Sequence, residues 1–302
     1  MRTIWLGLIV AAAGVAQQYP PPQQSYPPPQ QYPQQQYPPA QQYPQQSYPP
    51  QGQYAQPPMV APQQLDQLVG PIALYSDGLL AQVLTASTFS NQIPDAAGWS
   101  SQHTYLQGPA LSQAIQQDNL PWDPSVLALL PFPSVLSYMA QYMSWTQQLG
   151  NAVLEQRGDV MDAVQRMRQQ AYDYGYLRDP QFAQYQRVQV LGPGNIEILP
   201  VYPDYYYVPY YNPAVVFVRP RPGFVATGIF RFGPRITIGA GFAPFGWGGV
   251  GFGWREHTIL VDRRPWVRTW ANRGAYVHPY AAPYRHAPGP YVEHHEHPHD
   301  RR

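Results

Sequence analysis

Gly158-Asp159-Val160-Met161-Asp162-Ala163-Val164-Gln165-Arg166-Met167-Arg168-Gln169-Gln170-Ala171 is the stretch that decides the fold class. Val160, Val164, Met167 and Ala171 recur at the spacing of one helical face, with Gln165, Arg166, Arg168 and Gln169 opposite. Gly158 before the run and Gly175 after it fit the two ends of a helix. The same period continues upstream. Leu80, Val83 and Leu84 share a face, with Asp77 in front of them as an N-cap. Pro94, Pro109, Pro124 and Pro133 each precede helical periodicity, where a missing N–H costs nothing, and Asp123 before Pro124 reads as a cap. The pattern predicts a mainly α domain over residues 65–178, with Trp99, Trp122 and Trp145 as core anchors.

Downstream the period changes to two. Arg187-Val188-Gln189-Val190-Leu191 and Ile196-Glu197-Ile198-Leu199 alternate around a Gly-Pro-Gly-Asn turn, predicting a hairpin. Ala214 to Val218 reads as a further strand, and residues 185–218 as a small β segment closing the domain. Six of the ten residues from Tyr202 to Tyr211 are Tyr. A short strand is expected at His257 to Val261, and little regular structure beyond Asp262.

Outside this domain the composition shifts. Of 302 residues, 38 are Pro and 24 Gly, and only 12% are charged. Such chain lacks the apolar area that offsets ordering entropy, so disordered flanks are expected. Residues 17–64 carry no charge and repeat Tyr-Pro with Pro or Gln, Tyr standing at 19, 26, 32, 37, 43, 48 and 54. This predicts a spacer with polyproline II character, roughly 150 Å long if fully extended and about 40 Å as a coil. It is either a solvated linker or a sticky segment. Residues 219–302 form a Gly-, aromatic- and Arg-rich region with a His-rich tail.

Before the spacer, Met1-Arg2 and the apolar run Ile4 to Val15 end in Gly14 and Ala16, the small-residue pattern of a cleaved signal peptide over 1–16. The run is shorter than the ~20 residues that span a bilayer, so export without a membrane span is expected, to the periplasm or cell surface. The chain has no Cys, and all 18 basic residues are Arg. Disulfides, Cys-ligated zinc, lipoprotein anchoring, P-loop lysines and Schiff-base chemistry are thereby excluded.

Five ordered blocks carry a family resemblance. They are Leu74-Tyr75-Ser76-Asp77-Gly78-Leu79-Leu80-Ala81-Gln82-Val83-Leu84 with Pro71-Ile72-Ala73 before it, Trp122-Asp123-Pro124-Ser125-Val126, Trp145 to Gly150, Gly158 to Arg168, and Tyr207 to Pro213. In this order they resemble the bacterial "domain of unknown function 3300" family of exported proteins, over Leu65 to Val218. Ser76 stands where that family usually has Pro. The resemblance implies export and this fold boundary, and it brings no activity or catalytic residue.

Chemical motifs fail on context. Gly246-Trp247-Gly248-Gly249-Val250-Gly251 matches G-x-G-x-x-G but lacks the flanking strand and helix that a pyrophosphate site needs. His295-Glu296-His297-Pro298-His299 matches H-E-x-x-H, yet Pro298 breaks the required helix. His103 is the sole His before residue 257 and reads as a loop residue. The carboxylates Asp118/Asp123 and Asp159/Asp162 fit a glycosidase pair less simply than they fit caps and first turns.

Two features remain. Residues 66–218 hold 5 Arg and 12 acids, whereas residues 219–302 hold 12 Arg and 5 acids. In the basic zone Arg255, Arg263, Arg264, Trp266, Arg268, Trp270 and Arg273 interleave charge with aromatic rings, a pattern for cation–π contact with a partner. Export argues against nucleic acid there, which leaves an envelope polymer, an envelope protein or self-association. The tail residues His294, His295, His297 and His299 could hold Zn²⁺, Ni²⁺ or Cu²⁺ weakly; no other cofactor is expected. The sequence thus predicts an exported, non-enzymatic envelope structural or interaction protein. A metal-binding protein acting through the tail and an envelope hydrolase are the alternatives.

Overall fold

The computed structural model describes residues 59–192, 194–220 and 228–278. The expected signal peptide, nearly all of the spacer and the His-rich tail lie outside the described residues.

The chain starts with α1 (Pro62–Val69), α2 (Asp77–Ser87), α3 (Ile93–Gln102) and α4 (Gly108–Gln117). Then come α5 (Pro124–Leu127), α6 (Pro133–Gln141), α7 (Met143–Glu155), α8 (Arg157–Asp173) and the single turn α9 (Pro180–Ala183). All four expected prolines occupy the first or second helical position. Asp123 caps α5 as expected, its carboxylate accepting from the Ser125 N–H at 2.9 Å. Gly175, at φ +87°, supplies the left-handed step after α8.

Every residue of α2 is buried. Its sequence, Asp-Gly-Leu-Leu-Ala-Gln-Val-Leu-Thr-Ala-Ser, has small or apolar side chains on all sides, so neighbours can close around it. Thr85 and Ser87 return their hydroxyls to carbonyls one turn back, at 2.9 and 2.7 Å. α7 comes so close that a Cβ on Gly150 would sit 2.2 Å from the Ser87 carbonyl oxygen.

The predicted hairpin is β1 (Gln186–Gly192) and β2 (Asn195–Pro200), antiparallel with Val188 opposite Ile198. Ile196 and Ile198 are buried beneath it. β3 (Tyr205–Tyr206) and β4 (Pro209–Tyr210) follow. The strand expected at Ala214 to Val218 is instead a helical turn, α10 (Pro213–Val216). Asn212 accepts from the Ala214 N–H at 2.9 Å and Pro213 fixes the first φ, so cap chemistry outweighs β-branched composition.

The fold continues well past residue 218. β5 (Arg231–Phe232) pairs with β4, and β6 (Ile236–Thr237) pairs with β3. β7 (Gly251–Gly253), β8 (Thr258–Val261) and β9 (Arg264–Pro265) form a three-stranded antiparallel sheet against α2. Among the described residues, the fully or nearly fully buried tryptophans are Trp247, Trp254 and Trp266, all from this region. Trp99, Trp122 and Trp145 only flank the core, half-buried. Residues 264–278 strap across the junction of α7 and α8: Arg157 donates to the Trp266 carbonyl at 3.1 Å, and the Trp270 N–H donates to the Leu154 carbonyl at 3.2 Å. The chain's other end meets the same junction, where Val60 and the Gln156 amide exchange two hydrogen bonds.

Candidate functional site

At the end of α3, Trp99 and His103 lie four residues apart on one helical face, so their rings stack at 3.9 Å. His103 Nδ1 is 2.8 Å from the Trp99 carbonyl oxygen, and Tyr105 extends the row with its ring 6.1 Å from His103. His103 is therefore a half-buried helix-end residue in an aromatic row. Of this row, His103 lines an open cleft of about 260 Å³, with Thr104 and Leu106 beside it. Leu130, Pro131 and Pro133, entering α6, form one wall; Val208 and Tyr210 of the Tyr-rich stretch form the other with Gly233, Pro234 and Arg235. Tyr210 lies against Gly233, where a Cβ would touch the ring at 3.4 Å. The Arg235 guanidinium stands 4.8 Å over the Tyr205 ring. The lining is mainly apolar, its polar side chains include Tyr210, Arg235, Gln107 and the hydroxyls of Thr104, Ser134 and Thr237, and no carboxylate is among its described residues.

A second cluster is buried. Arg168 donates Nη1 to Asp77 Oδ1 at 2.7 Å and to the Ile196 carbonyl at 2.8 Å. Its Nε reaches the Ala73 carbonyl at 2.8 Å and its Nη2 the Tyr75 carbonyl at 3.0 Å. Asp77 also accepts from the Ile198 N–H at 3.2 Å and from Trp254 Nε1 at 3.0 Å. The group joins α2, α8, β2 and the segment after β7. Both charges are sealed from solvent, which makes this a structural hub. Asp77 is thus an ion-pair partner, with Ser76 at the cap position. Arg168, expected on the solvent face of α8, is fully buried. It lies four residues after Val164 and three before Ala171, on the flank of their stripe, and that spacing was the available signal.

The candidate acid–base groups each serve the fold. Asp118 accepts from Trp99 Nε1 at 2.7 Å, Asp159 stands 3.4 Å from the Gln156 amide, and Asp162 meets His257 Nε2 at 2.8 Å on the surface. Ser125, Asp123 and His278 come together beneath the strap. The Ser125 hydroxyl donates to Asp123 Oδ1 at 2.6 Å, and His278 Nε2 lies 3.5 Å from that oxygen. Burial, with the Arg268 guanidinium nearby, pushes the His278 imidazole down to about 3. The imidazole is therefore neutral at ordinary pH despite the adjacent carboxylate. With the carboxylate rather than the imidazole holding the hydroxyl, and Ser125 and His278 buried, the trio lacks an activated nucleophile.

The expected basic aromatic face is divided by the fold. Arg255, Arg263 and Arg264 are exposed, but Trp266 is fully buried with Arg157 over its ring at 4.7 Å. Arg268 is buried too, bonded to the Thr88 carbonyl and hydroxyl and lying 3.6 Å over Phe89. Arg273 covers Trp270 at 3.7 Å, both half-buried. Burying an indole gains more than leaving it in solvent, so the interleaved tryptophans serve the core. Trp266 and Arg268 thus pack inside the fold rather than on an exposed face. His294, His295, His297 and His299 lie outside the described residues.

Helices sealed by short antiparallel strand pairs and a C-terminal strap define the class of domain. The chain belongs to the family described as "Protein of unknown function (DUF3300)", which it matches over residues 61–278. That extent exceeds the 65–218 legible from sequence blocks and coincides with the described fold. The chain is 38% identical over 183 residues to the uncharacterized protein YacH of Escherichia coli (strain K12), covering 51% of this chain and 29% of that protein. It thus spans under a third of that relative's length. No solved structure matches. No helix among the described residues is long and apolar enough to cross a membrane.

Proposed function

We propose that this is an exported cell-envelope protein that works by binding rather than catalysis, with the cleft between α3, α6 and the β4–β5 pair as its binding element. The cleft carries the reading: an open, mainly apolar trough lined by His103 and Tyr210 and furnished with hydrogen-bond donors. Exposed rings beside unpaired donors suit a polymer or polypeptide running across the surface. Export is supported by the basic start, apolar run and small residues before Gln17.

Fractionation of cells expressing the full chain tests both parts. The mature protein is expected to begin at Gln17 and to stay with envelope preparations through washing. A chain carrying Tyr210→Ala and Arg235→Ala is expected to wash off while keeping its circular dichroism spectrum. Recovery of Met1 in the cytosol would overturn the export reading. Equal retention of both chains would overturn the cleft as the binding element.

A further inference from the structure

Resting on the cleft reading, we propose that the partner the cleft takes is the Tyr-Pro-Gln repeat, residues 17–58, of a second copy of this chain.

The first argument is hydrogen-bond complementarity. A Pro-rich segment is short of N–H donors and rich in free carbonyls, because Pro has no N–H and polyproline II makes no internal hydrogen bonds. The cleft offers the opposite set. The Tyr210 hydroxyl and the five N–H groups of Arg235 make no hydrogen bond among the described residues, and Gln107 lies beside them. An acceptor-rich strand crossing there would find donors waiting.

Shape and surface chemistry agree. At about 260 Å³ the cavity falls below the ~300–1,000 Å³ of small-molecule pockets, so it suits one or two side chains of a ligand passing over it. Aromatic rings beside Pro131, Pro133 and Pro234 are the lining on which proline and tyrosine rings stack when polyproline segments are recognised. Charge agrees as well. Residues 17–58 carry none, so docking buries no ligand ion, and the Arg235 charge faces tyrosine rings and carbonyls, both of which favour a cation.

Valence points to a second copy. Each chain carries seven Tyr-Pro or Tyr-Ala units of the repeat and one such cleft among its described residues. Even a cleft filled by its own chain leaves six units for other molecules, and several weak sites on one tether add up by effective concentration. Because the repeat is uncharged, assembly should change by no more than about twofold between 0.1 and 1 M salt, unlike an assembly held by opposite charges.

Photo-crosslinking of the full mature chain tests this, with benzoylphenylalanine in place of Tyr105, which is 76% exposed and stands between the lining residues Thr104 and Leu106. Isotopically heavy and light chains are mixed, irradiated and mapped by mass spectrometry. Heavy–light crosslinks from position 105 to peptides within 17–58 are expected. They should fall about tenfold with Tyr210→Ala and Arg235→Ala, and equally with the seven repeat tyrosines changed to Ser, which leaves the folded core untouched. Crosslinks confined to 59–278, crosslinks only within one chain, or a yield indifferent to the Tyr→Ser change would each overturn the proposal. Envelope retention that still depends on Tyr210 and Arg235, without crosslinks to the repeat, would overturn this partner and leave the binding function standing.

Discussion

Replacing Arg168 by Met keeps the length of the side chain and deletes its guanidinium. The structure sets the size of the effect. Four hydrogen bonds disappear, three backbone carbonyls (Ala73, Tyr75 and Ile196) lose a buried donor, and the Asp77 carboxylate loses its counter-charge. Asp77 keeps only the Ile198 N–H and Trp254 Nε1. Breaking a buried pair from one side costs about 3–5 kcal/mol, because the remaining charge stays desolvated. For a domain of this size that is a fall in Tm of roughly 6–20 °C. Urea unfolding followed by far-ultraviolet circular dichroism measures it on the full chain. Adding Asp77→Asn removes the stranded charge, so the double variant should be about 2–3 kcal/mol more stable than the sum of the two singles predicts. An Arg168→Met loss under about 1 kcal/mol, or simple additivity, would refute the account of the pair as a desolvated hub.

Gly150→Ala drives a methyl into the Ser87 carbonyl and is expected to cost about 1–3 kcal/mol, or ~2–12 °C in thermal melts, whereas Gly98→Ala in α3 meets nothing within 4 Å and should stabilise by ~0.5–1 kcal/mol. His278, with its pKa down at about 3, protonates in the unfolded chain before the folded one, so stability is full above pH 6.5 and declines as pH falls toward 3. Between pH 6.5 and 5 that amounts to roughly 2 kcal/mol, and urea melts at the two pH values should show His278→Gln losing less by that amount. The tail is predicted to bind Zn²⁺ through its imidazoles, and calorimetry comparing the full chain with one lacking His294 to Arg302 should lose the binding isotherm.

Legibility in the sequence followed the range of the interactions. Helices α2 to α6 and α8 were readable because apolar period, prolines at helix starts and the Asp123 cap act within a turn or two. The β1–β2 hairpin was readable for the same reason. Pairings such as Tyr205 with Thr237 were not, since two-residue strands have no period and the partners come from distant chain. Trp247, Trp254 and Trp266 misled because Gly- and Arg-rich surroundings look unfolded, while an indole carries enough apolar area to enter a core alone. The cleft was illegible for a related reason. His103, Tyr210 and Arg235 are brought together only once α3 and the β4–β5 pair are packed, and no spacing in the chain announces it.

Arg157 begins α8, yet the carbonyls it holds belong to Trp266 and Arg268, 109 and 111 residues further along. During synthesis from the N-terminus, α1 to α8 therefore emerge with unfilled places where Trp247, Trp254 and Trp266 will sit. Closing contacts of that span comes late in folding. Until residues 247–278 are delivered, the helices lack the side chains that close their core, and the polypeptide has a reason to stay loose. A ribosome stalled short of residue 266 would hold an open helical shell, and release of the strap would snap it shut.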